Sequence, residues 1–194
     1  MSFDEKEIIR LLKSNFDEAF SRVIEEYQKK VFSMTSYMLG NYDDALDASQ
    51  EVFFKVYKSI KNFREESSLT TWIYRITSNV CMDEMRKRKK TKNVVSISRD
   101  DEESEVQIID DKNAPEKALE LSELQRIVRH NINLLEKDHR AVIILRDIEG
   151  LSYEEIADIL NCSIGTVKSR INRARGALKK KLEKNKELLL MEYV

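Results

Sequence analysis

Between Leu151 and Leu182 the chain reads LSYEEIADILNCSIGTVKSRINRARGALKKKL. Two apolar stripes at helical spacing stand on either side of Asn161, Cys162 and Ser163. A connection this short makes the two helices fold back and share their apolar faces. Ser152 and Glu155 form a capping box at the start of the first, and Ser163 is placed to cap the second. Ile164, Val167, Ile171, Ala174 and Leu178 fall on one side of the second helix at ~100° per residue. They are expected to pack on Ile156 and Leu160.

The other side of that helix carries Gly165, Lys168, Ser169, Asn172, Arg173 and Gly176. Small residues let a backbone approach closely. Asn pairs with adenine N6 and N7, Arg with guanine O6 and N7, and Lys and Ser suit phosphates or base edges. Arg170, Arg175, Lys179, Lys180 and Lys181 flank this face and suit the phosphate backbone. The expectation is a helix-turn-helix that reads duplex DNA. An ordinary bundle with a solvated basic helix is the alternative, but it leaves the capped short turn and the basic face unexplained together.

The rest of the chain is also helical. Four glycines and one proline in 194 residues leave little material for hairpins. An apolar fraction of 41% with 36% charged residues fits an all-α protein. No stretch is apolar enough to span a bilayer, and MSFDEKEIIR lacks a signal-peptide core, so a cytoplasmic protein is expected. Cys81 and Cys162 lack metal-ligand spacing and read as structural thiols. His130 and His139 form neither a metal pair nor a dyad. No metal, cofactor or catalytic residue is assigned. The net charge of −1 argues against a general nucleic-acid coat, but the charge is segregated. RKRKKTK is basic, RDDEESE is acidic, and the chain after Ile164 is basic again.

Three segments follow. Residues 1–92 form a helical domain. In it Phe16, Phe20, Val23, Ile24, Tyr27, Val31, Phe32 and Met34 recur at helical spacing, as one helix or a broken pair. Gly40 stops that run and Asp43 is a candidate N-cap. The next helix, about Asp44 to Asn62, is expected to bury Leu46, Phe53, Val56 and Ile60. A third starts near Ser68 with the stripe Leu69, Trp72, Ile73, Ile76 and Val80. Residues 93–114 read as a flexible acidic linker. Pro115, between Asn113 and Glu116, suits a capped helix start. Residues 115–194 form a second helical domain, ending in the helix-turn-helix.

Two constellations in the first domain stand out. Asp47, Gln50, Glu51 and Phe54 share one helix face. This is either a protein-docking patch or a solvated face with a stray aromatic. On the next helix Thr71, Arg75, Ser78, Asn79 and Met82 oppose the apolar stripe, after the loop Phe63–Ser68. A loop, an Asn and an Arg suit a base pulled out of its stack. Trp72 is by default a core residue, and serves DNA only as a wedge at the upstream end. The basic run from Arg86 suits duplex phosphates.

These motifs resemble the extracytoplasmic-function (ECF) subfamily of bacterial RNA polymerase sigma factors. DALDASQEVFFKVYKSIKNF is similar to the core-binding helix of region two, and LTTWIYRITSNVCMDEMRKRKK to its −10 helix. The helix-turn-helix is similar to region four, which reads the −35 element. The resemblance implies two helical domains joined by a flexible linker that threads toward the polymerase active-site cleft. It implies that Asp47, Gln50 and Glu51, with Phe54, dock on the clamp helices of the polymerase β′ subunit. Phe63 and Asn79 would then capture a flipped −10 base, with Trp72 at the upstream edge and Arg75 and Arg86 beside it. Lys168, Ser169, Arg170, Asn172, Arg173 and Arg175 would meet the −35 duplex. The resemblance further implies a cognate anti-sigma factor, often membrane-anchored. Leu46 and Ser49 depart from the family pattern, in which an acidic and an apolar residue are common. Two rivals are a stand-alone helix-turn-helix regulator with an N-terminal sensor domain and a helical adaptor that binds only protein. The −10 constellation disfavours both.

Overall fold

The computed structural model describes residues 5–95 and 116–192, all helices and short connections. Most of the acidic linker and the Asn113–Glu116 cap lie outside the described residues. The first set comprises α1 (Glu5–Ser14), α2 (Phe16–Leu39), α3 (Tyr42–Ser59, extended by a 3-10 turn Ile60–Asn62) and α4 (Leu69–Val95). The second comprises α5 (Glu116–Asn133), α6 (Lys137–Ile143, continuing as a π-helical turn Ile144–Ile148), α7 (Tyr153–Leu160) and α8 (Ile164–Glu192). The periodic run from Phe16 is one unbroken helix, and α4 continues past the predicted boundary at Lys92.

Helix α2 is the axis of the first set. Its Val23, Tyr27, Val31, Met34 and Met38 are fully buried, facing Val52 and Val56 of α3 and Leu69 and Ile73 of α4 in one core. Ser49 is explained here. Its hydroxyl lies 2.9 Å from that of buried Thr35, and both reach the Ala45 carbonyl, at 2.6 and 3.0 Å. A satisfied polar pair thus replaces an apolar contact where α2 crosses α3. Tyr27 is buried, which pushes its phenol up to about 12, and its hydroxyl meets Thr70 at 2.7 Å.

Helix α1, absent from the sequence reading, seats Ile8 in the core. Its Glu5 carboxylate accepts from the Leu69 N–H at 2.6 Å, satisfying a free donor at the α4 N-terminus from 64 residues away. Ser68 accepts from Thr71 N–H at 3.0 Å and completes that cap.

Three local expectations are corrected. The N-cap of α3 is Asn41, which accepts from Asp44 N–H at 3.1 Å, and Asp43 lies within the first turn. Leu46 is 40% exposed, because the buried side of α3 runs through Ala45, Ala48 and Ser49 instead. Ile164, the first residue of α8, is 38% exposed, and the buried row of that helix begins at Val167. Gly40 ends α2 with φ +73°, as expected. A Cβ there would also lie 2.8 Å from Asn133 Nδ2, so glycine is required by conformation and by space.

The two sets share one continuous buried cluster and meet along a polar seam, α4 against α7 and α2 against α5 and α6. Tyr74 donates to Glu149 Oε2 at 2.5 Å. Arg140 donates to the Met38 carbonyl at 2.5 Å, to Leu135 at 3.1 Å and to Asn133. Those carbonyls lie at the C-terminal ends of α2 and α5, where backbone acceptors lack helical partners and the helix dipoles favour a cation. Burial, reinforced by repulsion from Arg88, pulls the Arg140 guanidinium down to about 10. Arg88 pairs with Asp44 and donates to the Leu39 carbonyl at 3.4 Å.

Candidate nucleic-acid interface

The capping box of α7 is complete. Ser152 Oγ accepts from Glu155 N–H at 3.2 Å, and Glu155 accepts from Ser152 N–H at 2.8 Å. Asn161 ends α7 in the left-handed conformation, and Ser163 Oγ accepts from Thr166 N–H at 3.1 Å to start α8. Val167, Ile171 and Ala174 are buried with Ile156 and Ile159, while Leu160 and Leu178 are half-buried. The outward side is the predicted one, with Lys168, Ser169, Asn172 and Arg173 all exposed.

The flanking arginines are held by the preceding helical unit. Arg170 pairs with Asp138 at 3.2 Å. Arg175 pairs with Asp147, which raises its pKa further. Both remain partly exposed, so each can present its remaining N–H groups to a phosphate while anchored.

On α3, Asp47, Gln50, Glu51 and Phe54 lie on an open face. Phe54 is 57% exposed, and the exposed Leu46 and Tyr57 extend the patch at both ends. The choice left open by spacing narrows here: the aromatic is not tucked into the core. Lys55 pairs with Glu51 at 3.0 Å, and Lys58 Nζ stands 4.0 Å from the Phe54 ring centre.

On α4 the expected DNA residues divide. Asn79 is exposed, and Arg75, Met82 and Trp72 are half-exposed. Trp72 packs on Phe63, with ring centres 5.4 Å apart, so this pair forms the shoulder between the loop and the helix. Glu65 in that loop adopts a positive φ of 57°, a left-handed turn carried by a non-glycine residue. Thr71 and Ser78 are buried, contrary to the expectation of an open face. At ~100° per residue they lie within ~60° of Tyr74, on the seam side of the helix. The solvent side is Trp72, Arg75, Asn79 and Arg86. A groove of about 550 Å³ separates α3 from α4, with Lys55, Lys58 and Ser59 on one wall and Ile76, Asn79 and Met82 on the other.

Sequence reasoning missed Lys55 and Lys58 on this groove and Tyr74 and Arg140 in the seam. The lysines sit at helical spacing within a motif already identified, and that spacing could have flagged them. Nothing local marks the seam residues. Among the described residues no His, Cys, Asp and Glu cluster suits a metal, and no helix is long and apolar enough to cross a membrane.

A helix-turn-helix with a basic outward face in one helical set, and an aromatic and amide face in the other, fit the sigma-70 type of architecture. The Sigma-70 region 2 profile matches residues 23–91 and the Sigma-70 region 4 profile matches residues 125–178. The ECF RNA polymerase sigma-E factor of Haemophilus influenzae is 37% identical over 91% of the chain and 94% of its own length. The ECF RNA polymerase sigma factor SigW of Bacillus subtilis is 36% identical over 91% of the chain and 96% of its own. A similar solved structure is the sigma factor RpoE bound to the anti-sigma factor NepR from Bartonella quintana. It has a TM-score of 0.68 and 25% identity, covering 84% of this chain and 96% of that one. CnrH in complex with the cytosolic domain of CnrY shares the fold, with a TM-score of 0.66 at 21% identity over 92% and 97% of the two chains. The chain belongs to the ECF family of RNA polymerase sigma factors.

Proposed function

We propose that the chain acts in the cytoplasm as a dissociable specificity subunit, in which residues 1–92 bind core polymerase and the −10 element and residues 115–194 read the −35 element. Polymerase performs the chemistry, and the chain supplies binding energy. Asp47, Gln50, Glu51 and Phe54 dock on the β′ clamp helices. Phe63, Trp72, Arg75, Asn79 and Arg86 hold the opened −10 strand. Lys168, Ser169, Arg170, Asn172, Arg173 and Arg175 contact the −35 duplex. The observation that supports this reading is the coexistence of three open faces in one small chain, on α3, α4 and α8. The similarity to RpoE solved with NepR supports control by an anti-sigma factor.

The test is run-off transcription on pooled genomic fragments with purified bacterial core polymerase. Start sites that appear only with the protein, and share −35 and −10 elements, are expected. Glu51→Lys should abolish co-elution with core polymerase while the helical circular dichroism is unchanged. Co-elution at the wild-type level would remove the docking patch from the proposal. Absence of transcripts, with tight binding of the lone protein to a palindromic duplex, would favour a stand-alone regulator.

A further inference from the structure

The first turn of α4 is held from outside the helix. Leu69 begins it and is fully buried, so its N–H cannot turn to water and needs a protein acceptor. Ser68 Oγ is already engaged, with the Thr71 N–H at 3.0 Å and the Thr71 hydroxyl at 2.8 Å. The acceptor that serves Leu69 is the Glu5 carboxylate, at 2.6 Å. Tyr27 of α2 grips the same turn through Thr70, at 2.7 Å. Helix α1 keeps Glu5 in place, since Ile8 is buried, Leu12 packs on the core and Glu7 pairs with Arg22 at 2.7 Å.

What that turn carries gives the contact its meaning. Trp72 stands three residues after Leu69, about 4.5 Å along the helix axis, and its N–H donates to the Ser68 carbonyl at 3.0 Å. Its ring is the surface on which Phe63 rests. Between Phe63 and Ser68 the chain bends through Glu65 at φ +57°, a conformation that a non-glycine residue keeps only when its surroundings fix it. Leaving a buried donor free at the helix start favours fraying of the first turn. Fraying here would part Trp72 from Phe63 and loosen the loop at both ends. We propose that Glu5 is a positioning residue for promoter opening: by closing the Leu69 N–H it fixes the turn that sets Trp72 against Phe63. It acts through α4 and touches no DNA. This rests on the sigma-factor reading, in which that aromatic pair meets the opened −10 strand. A helix start also attracts phosphate, so the other role open to Glu5 is competition with the strand for the same donor.

Trp72 is the sole tryptophan, so its emission reports on this turn in the free, full-length protein. Glu5→Ala should move that emission to longer wavelength and open Trp72 to quenching by acrylamide, with helical circular dichroism unchanged. The same variant is then assembled with core polymerase on promoter probes taken from the run-off experiment, either fully duplex or with an unpaired −10 bubble. It should bind the bubble about fivefold more weakly, the worth of one helix cap. Core co-elution and closed-complex binding to the duplex should be unchanged. Glu5→Gln keeps an acceptor for Leu69 and should restore both readouts. Glu7→Ala releases only the exposed pair with Arg22 and should match wild type. Wild-type emission and bubble affinity in Glu5→Ala overturn the proposal. An equal loss in Glu7→Ala also overturns it and assigns Glu5 to the general seating of α1. Lost circular dichroism in Glu5→Ala does the same and assigns it to folding. Tighter bubble binding in Glu5→Ala overturns it in favour of competition with phosphate. Failure of the wild-type assembly to bind either probe defeats the sigma reading itself, and is distinct because the emission is read without polymerase or DNA.

Discussion

The two surfaces proposed to meet DNA are built by opposite means. In the second helical set a single helix, α8, presents a convex row of Lys168, Ser169, Asn172 and Arg173 over a buried row of Val167, Ile171 and Ala174. In the first, two helices leave a concavity between them, with Trp72 two turns from Asn79 on α4 and Phe63 of the preceding loop packed on its ring. The difference suits what each is proposed to hold. A duplex keeps its bases stacked and offers its edges in a groove that admits a helix. A melted strand offers bases that must be received one at a time, and this needs a recess. The convex surface depends on a few side chains and the stiffness beneath them. The concave one depends on the spacing of two helices.

The sharpest way to break the comparison is to soften the support of α8. Ile171→Ala removes a buried side chain and should cost about 2–5 kcal/mol of stability. It should abolish duplex binding while the first helical set stays folded, as hydrogen exchange resolved by region would report. Simultaneous loss of protection in both sets would mean that the shared core makes them one cooperative unit.

A smaller effect separates the two surfaces chemically. Arg173→Ala should weaken duplex −35 binding by about 1–3 kcal/mol at one base position and leave bubble-probe binding intact. Asn79→Ala should do the reverse, slowing promoter opening more than closed-complex formation. Permanganate footprints equal to wild type in Asn79→Ala would contradict the strand-holding role. Ser152→Ala removes the α7 cap and should cost about 1 kcal/mol, read as a lowered midpoint in urea. Smallest is Arg175→Ala, whose exposed pairing with Asp147 is worth at most about 1 kcal/mol to stability. Its duplex affinity should fall evenly across base sequences, with a shallower salt dependence.

The convex surface was almost wholly legible in the sequence. Ser152, Glu155 and Ser163 act on backbone groups within three residues, and the row from Val167 to Ala174 obeys one helical period. The concave surface was legible only in part, because it depends on how α3 and α4 lie against each other. Periodicity placed Asn79 outward correctly, but could not know that Ser78 is buried on the side of α4 that carries Tyr74. Leu46 was misjudged for the same reason. An apolar side chain on a helix points to a core only if something packs there, and α3 packs through Ala45, Ala48 and Ser49. The cap that Glu5 gives α4 and the Arg140 seam join residues 64 and 102 positions apart. No local pattern announces such contacts.

Arg140 makes the seam a matter of populations. On the proposed assignment of the two helical sets to the −10 and −35 elements, which lie apart on a promoter, reading both at once is expected to part α7 from α4. Every hydrogen bond from Arg140 to the ends of α2 and α5, and that of Tyr74 to Glu149, favours the closed form. A ligand that binds only the parted form has its apparent dissociation constant multiplied by the inverse of that form's share of the population. A ligand that clasps both helical sets bears no such factor. On that proposal, the same few side chains weaken the hold of a promoter and leave undiminished that of any partner that binds the molecule closed.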